Sequence, residues 1–242
     1  MTNHILFNGQ PKAGSHLLFR ISEIFGYGYP IEFKFWDKTP KDGEFMFWCQ
    51  HLLWSKGNER TLEERGIKMV VIYRDPRDVI ASFLRAVIDQ NPNVLYYWHI
   101  LRDFGAEKFA NEAMLGIKKG ETFGDGVSMV DYRMKWLSWK AVDNVLPVRF
   151  ENLIGSRGGG NDASQLKTFI RICQFIGLKK EEDEYQEAVE KVFDPSSKTF
   201  IKGGKIGVWK KYLTERNLEF LEKLTGNLIQ ELGYNNKNNG AK

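Results

Sequence analysis

The sequence has few cysteines, no long apolar run and no long run of like charge. Cys49 and Cys173 are its only two thiols; they stand far apart and lack metal-ligand spacing, which excludes a disulfide framework or a zinc finger. No apolar stretch reaches the length of a membrane span or a signal core, and the expected setting is a reducing cytoplasm. Lysine and arginine number 35 against 31 aspartates and glutamates, a net charge of +4 with a pI near 8.9. So mild and dispersed an excess favours a basic pocket over a nucleic-acid surface. There is no internal repeat and no shift of composition to mark a domain boundary. Residues 1–234 are therefore expected to form one domain, followed by a disordered tail, NNKNNGAK, at 235–242.

What is present is ordinary in bulk and informative in pattern. The 242 residues are 42% hydrophobic and 27% charged, enough for one large core. Aromatic residues crowd at Phe33, Phe35, Trp36, Phe45, Phe47, Trp48 and Trp54, as core or as the lining of a pocket for a flat or apolar ligand. The apolar run from His4 to Phe7 predicts a strand that enters GQPKAGSH at 9–16, and 15–24 carries apolar residues at helical spacing. Further strands are predicted over 45–49, 69–73 and 145–150. Helices are predicted after the Asp75-Pro76 cap and over 93–115, 128–143, 163–176, 181–192 and 215–232, and GSRGGGND at 155–162 reads as a flexible surface loop. Strands alternating with helices predict an α/β fold, a P-loop-like three-layer α/β/α sandwich around a central parallel sheet, with ligands beyond the carboxyl ends of the strands.

Three stretches carry chemistry. The loop at 9–16 has the outline of a phosphate loop, yet Ser15 and His16 follow Gly14 where a nucleoside-triphosphatase has Lys-Ser or Lys-Thr, and the only lysine, Lys12, lies inside the loop. Backbone amides entering a helix still attract an anion, so the loop suits a phosphate without bound metal; an ordinary glycine turn is the alternative. Next, Arg74 closes the strand at 69–73 and Ser82 follows eight residues later, a guanidinium and a hydroxyl suited to sharing a phosphate. The alternative there is a surface Arg74–Asp78 ion pair. Finally, FIKGGKIGVWKKYL at 200–213 places three glycines and four lysines around Trp209, as a mobile anion-binding loop or a solvated basic one.

Together these stretches resemble the sulfotransferases that use 3′-phosphoadenosine 5′-phosphosulfate (PAPS), particularly the cytosolic type. That family's Pro-Lys-Ser-Gly-Thr-Thr loop is matched by Pro11, Lys12, Ala13, Gly14, Ser15 and His16; its arginine and serine by Arg74 and Ser82; its Arg-Lys-Gly-x-x-Gly-Asp-Trp-Lys by Lys202, Gly203, Gly204, Lys205, Ile206, Gly207, Val208, Trp209 and Lys210. Order and spacing agree over nearly the whole chain. The resemblance implies transfer of a sulfuryl group to a hydroxyl or amine of a small-molecule acceptor, with PAP as product and no metal. It implies that Lys12 contacts the 5′-phosphate and the bridging oxygen, and that Arg74 and Ser82 take the 3′-phosphate. Lys202, Gly203 and Gly204 would close over a phosphate. His51 in FWCQHL stands where the family has its general base, a role that suits an imidazole; Glu32 and Glu44 are rivals, His16 and His99 weaker ones.

The sequence departs from the family at several points. Leu17 replaces a tryptophan that helps hold the adenine, which shifts that contact to Phe150, Phe193 or Trp209. The C-terminal motif has Val208 for aspartate. Lys210, Thr214 and Glu219 fit a family dimer motif, but Glu215 replaces its valine, and a charge there disfavours so small an interface. A kinase-like nucleotide enzyme and an inactive nucleotide-binding module are the rival readings; a nucleic-acid binder fits least.

Overall fold

A computed structural model describes residues 3–32, 45–90, 97–116, 128, 131, 135–194 and 204–234. The chain divides into two compact units, each built from two stretches: Met1–Arg74 with Lys135–Ile206, and Asp75–Met134 with Gly207–Lys242. In chain order the principal elements are β1 (Asn3–Gly9), α1 (Ser15–Ile24), β2 (Ile31–Glu32), β3 (Phe45–Gln50), α2 (Lys56–Glu64), β4 (Lys68–Tyr73), α3 (Pro76–Ile88), α4 (Trp98–Leu115) and β5 (Val145–Arg149). Helices over Asp162–Ile176, Glu182–Val189 and Glu215–Thr225 follow.

The first unit holds a five-stranded sheet in the order β2-β3-β1-β4-β5, with every pair parallel. Its central strands read as continuous apolar runs because a parallel sheet is covered on both faces. Leu6, Trp48, Met69, Val71 and Val145 turn to one side and form a core with Leu62 of α2 and Trp139 of a 3-10 helix at Leu137–Ala141. The alternate residues Ile5, Phe7, Val70 and Ile72 turn to the other and are buried with Leu18 and Ile21 of α1. Helices on both faces make this the α/β sandwich that the alternation of elements predicts.

The second unit is helical. Asp75 caps α3 by accepting the Arg77 amide at 2.9 Å, with Pro76 at the first helical position, as the dipeptide predicts. Phe83 of α3 meets the rings of Tyr97 and Phe109. The Asp78 carboxylate accepts the amides of Gly207 and Trp209 at 2.8 and 2.9 Å, and the Arg77 guanidinium lies 4.5 Å over the Trp209 ring. The end of the C-terminal glycine motif, Gly207 to Trp209, is thereby tied to α3. Asn217, fully buried, donates to the Glu107 carbonyl and to Asn111, joining the helix Glu215–Thr225 to α4. Among the described residues no helix is long and apolar enough to cross a membrane.

Several elements differ from the sequence expectation. The two-residue β2 is too short to leave a periodic signal. Phe150 opens a helical turn, Phe150–Leu153, instead of closing β5. The helix expected at 93–115 is described from Trp98 and is broken at Gly105 (φ 77°, ψ 171°), and the one expected at 215–232 is interrupted at Gly226 (φ 61°). Within the expected 128–143 helix, the continuous described stretch 135–143 carries a 3-10 turn at Leu137–Ala141; residues 129–130 and 132–134 lie outside the described residues, as does the tail at 235–242. The GSRGGGND stretch is a built turn. The Gly160 amide donates to the Gly155 carbonyl at 2.8 Å and the Ile206 amide to the Gly158 carbonyl at 3.0 Å. A Cβ at Gly155, Gly158 or Gly160 would come within 2.3, 2.2 and 2.9 Å of Gln165, Ile154 and the Glu151 carbonyl respectively. These glycines answer to close packing, which composition alone cannot distinguish from flexibility.

Candidate functional site

Because the sheet is parallel, the carboxyl ends of its strands lie along one edge, the edge where α/β proteins place ligands. The residues that follow four adjacent strands stand there in the order of the sheet: His51 after β3, the 10–14 loop after β1, Arg74 after β4 and Phe150 after β5. Lys12, Gly14, His51, Arg74 and Phe150 thus meet at one edge.

In the loop, Lys12 adopts φ +70° and Gly14 φ +101°. Gly14 is the N-cap of α1, and no side chain caps that helix. The leading N–H groups of an α-helix lack acceptors within the helix and face whatever lies beyond its end; in this first turn the Leu17 amide is turned back, to the Gly14 carbonyl. Gly14 has a second constraint: a Cβ would stand 2.3 Å from the Phe150 ring. Ala13 and Ser15 are buried. Three buried polar atoms, Gln10 Oε1, Ser15 Oγ and His16 Nδ1, find no partner among the described residues. Orphaned groups so concentrated mark a place where a ligand or solvent completes the hydrogen bonding. Lys12 is half-buried, and burial alone lowers its pKa to about 8. Leu17 turns into the core, 2% exposed, with its amide given to the Gly14 carbonyl at 2.9 Å.

His51 sits beyond the end of β3 with its Nδ1 2.5 Å from the Gly9 carbonyl. A carbonyl only accepts, so Nδ1 carries the proton and Nε2 keeps its lone pair. The residue retains solvent access. Desolvation of the ring nevertheless lowers its pKa, the Gly9 hydrogen bond works against that, and Lys12 adds to the lowering. His16 is pulled further down, to about 4, by burial first and then by Lys12 and His51. His16 is thus a neutral imidazole throughout the neutral range.

Arg74 is 2% exposed. Its guanidinium donates to the Lys12 carbonyl at 3.3 Å and the Lys205 carbonyl at 2.7 Å, and lies 4.2 Å over the Phe150 ring. It therefore joins the phosphate loop to the C-terminal motif. Phe150, 2% exposed between Gly14 and Arg74, is the platform on which that guanidinium rests. Asp78, the alternative partner for Arg74, receives the Gly207 and Trp209 amides. Ser82 belongs to α3 of the second unit and is half-buried, and His99 is exposed on α4. Phe193 and Trp209 are buried at 3% and 8% exposure. Gly204 is half-buried; Lys202, Gly203, Glu44 and the side chain of Glu32 lie outside the described residues. Sequence reasoning missed Asn8 and the Gly9 carbonyl. The only signal for the former is a polar residue inside the apolar run HILFNG.

The profile of the sulfotransferase domain family matches residues 43–233, and the chain belongs to that family. The matched span contains His51, Arg74, Ser82, Phe150 and the C-terminal motif; the phosphate loop precedes it. Among solved structures, mouse sulfotransferase SULT7A1 in complex with PAP is similar at a TM-score of 0.67 and 18% identity, over 96% of this chain and 86% of that one. Retinol dehydratase in complex with androsterone and the inactive cofactor PAP is similar at 0.60 and 14%, over 99% and 83%. At such identities the likeness is one of fold, and it spans the loop that the family match omits. No curated protein sequence matches the chain.

Proposed function

We propose that the protein transfers a sulfuryl group from PAPS to a hydroxyl or amine of a small-molecule acceptor, releasing PAP. The observation that carries this reading is the pairing of a tautomer-fixed His51 with the lysine loop. The Nδ1 proton rests on the Gly9 carbonyl, which leaves Nε2 as a base at the edge where Lys12 stands. The loop residues suit the donor: first-turn amides without a cap, the orphaned Ser15 hydroxyl and His16 ring, and a lysine ammonium can together receive a 5′-phosphosulfate. PAPS, when bound, supplies a sulfuryl group on a phosphate leaving group.

His51 takes the proton of the acceptor as its oxygen or nitrogen bonds to sulfur. Lys12 stabilises the negative charge that grows on the phosphate oxygen as the S–O bond to it breaks, a preorganised electrostatic contribution. Arg74, with its fork held near the loop and stacked on Phe150, is assigned to the 3′-phosphate. Fixing these groups on strand ends of one sheet keeps the positional cost low.

Thermal stabilisation by PAP, compared with 5′-AMP and Mg-ATP, tests the donor assignment. A ligand at a hundred times its dissociation constant adds about 2.7 kcal/mol to the folded state. Stabilisation that needs the 3′-phosphate and ignores magnesium is expected; a preference for Mg-ATP, or no response, would overturn the reading. Lys12→Ala should reduce turnover by about a hundredfold or more.

A further inference from the structure

Asn8 is a polar side chain in the middle strand of the sheet, 0% exposed. Asparagine is disfavoured in such strands, and a buried amide must be fully hydrogen-bonded to be tolerated. Its partners are both on one residue. Asn8 Nδ2 donates to the Leu52 carbonyl at 3.0 Å, and the Leu52 amide donates to Asn8 Oδ1 at 2.8 Å. The indole N–H of Trp139, itself fully buried, donates to the same Leu52 carbonyl at 2.9 Å. The last backbone rung between β1 and β3 pairs Asn8 with Gln50. Beyond it β3 has ended, and the Asn8 amide serves as one more rung, holding both backbone groups of Leu52.

His51 is the residue between. Its chain is held on one side by the ladder at Gln50 and on the other by the Asn8 and Trp139 contacts at Leu52, while its ring is held by the Gly9 carbonyl, the neighbour of Asn8. We propose that Asn8 is a positioning residue for the transfer reaction, whose amide fixes the Leu52 peptide and thereby the orientation of the His51 base. The inference rests on the reading of His51 given above. A loop that merely needed closing could be closed by packing; two complementary hydrogen bonds from one side chain set the direction of both peptide planes that flank Leu52, and the His51–Leu52 plane directs the preceding side chain.

The test is a double-mutant cycle on the full chain with PAPS and a turned-over phenolic or amine acceptor, measured below the unfolding transition of each variant. Asn8→Ala is expected to lower kcat by about tenfold or more, with KM for PAPS and stabilisation by PAP unchanged, because small displacements of a reacting group are costly to rate. In a His51→Ala background the same substitution should have no further effect on kcat, since a residue that acts through another loses its influence when that other is removed. An unchanged kcat in Asn8→Ala, or the same fold loss with and without His51, would overturn the inference while leaving the base assignment intact. Full activity of His51→Ala would instead overturn the assignment, and the inference with it. If Asn8→Ala does not fold, Asn8→Asp carries the test: it keeps the acceptor for the Leu52 amide, loses the donor to the Leu52 carbonyl, and places a carboxylate that favours imidazolium. Its acid limb of kcat/KM should then move to higher pH with a reduced kcat; a limb and kcat matching the parent protein would overturn the positioning role.

Discussion

Lys12 and His51 are both held away from their ordinary titration, and for the same reason. Desolvation disfavours charge, so the lysine falls to about 8 and the histidine falls below 6.5. The proposed chemistry needs His51 neutral and Lys12 charged. Activity should therefore rise as pH climbs through the His51 pKa, below 6.5, and fall as it climbs through about 8, where the lysine loses its proton. Since kcat/KM reports the free enzyme, its pH profile should be a bell with those two limbs. Lys12→Arg should remove the alkaline limb, because guanidinium stays charged throughout; an alkaline limb that persists in that variant would assign it to another group. The placement of Lys12, Arg74 and His51 at the carboxyl edge of the sheet was legible in the sequence because motif spacing carries it. Asn8 was not, since a single polar residue in an apolar run has no partner visible until Leu52 is brought beside it. Nor was the burial of Leu17 and Phe150 legible, because the motif gives position along the chain and not the direction in which a side chain points.

The elements follow from local rules where those rules are strong. The apolar strands, the Asp75-Pro76 helix start and the amphipathic Asp162–Ile176 helix appear where periodicity and capping place them. Glycine is where sequence reading fails, because one residue type serves turn, break and close approach. Gly14 combines two of these uses, a left-handed φ of +101° and contact with the Phe150 ring. Gly14→Ala is expected to cost about 1–3 kcal/mol in backbone strain and to displace Phe150, on which Arg74 rests. Donor affinity should drop along with stability. Chemical denaturation together with PAP titration checks this; wild-type affinity in a destabilised variant would show that Arg74 does not depend on its platform.

At the scale of the molecule, the two units are interleaved in sequence, each closed only by a later stretch of chain. We propose that residues 1–234 behave as one domain. Calorimetry should then give a single transition whose calorimetric and van't Hoff enthalpies agree, whereas two resolved transitions would identify the units as independent. The interleaving also constrains how the protein is made. β4 gains its outer neighbour β5 only when Val145–Arg149 has been synthesised, so through the whole of the intervening stretch a nascent chain carries the apolar edge Met69–Ile72 with open backbone groups. Synthesis from the amino terminus thus leaves one edge of β4 open, with β1 on its other side, until β5 follows, and the yield of soluble protein should depend more on the speed of translation and on chaperone supply than on the stability of the finished fold.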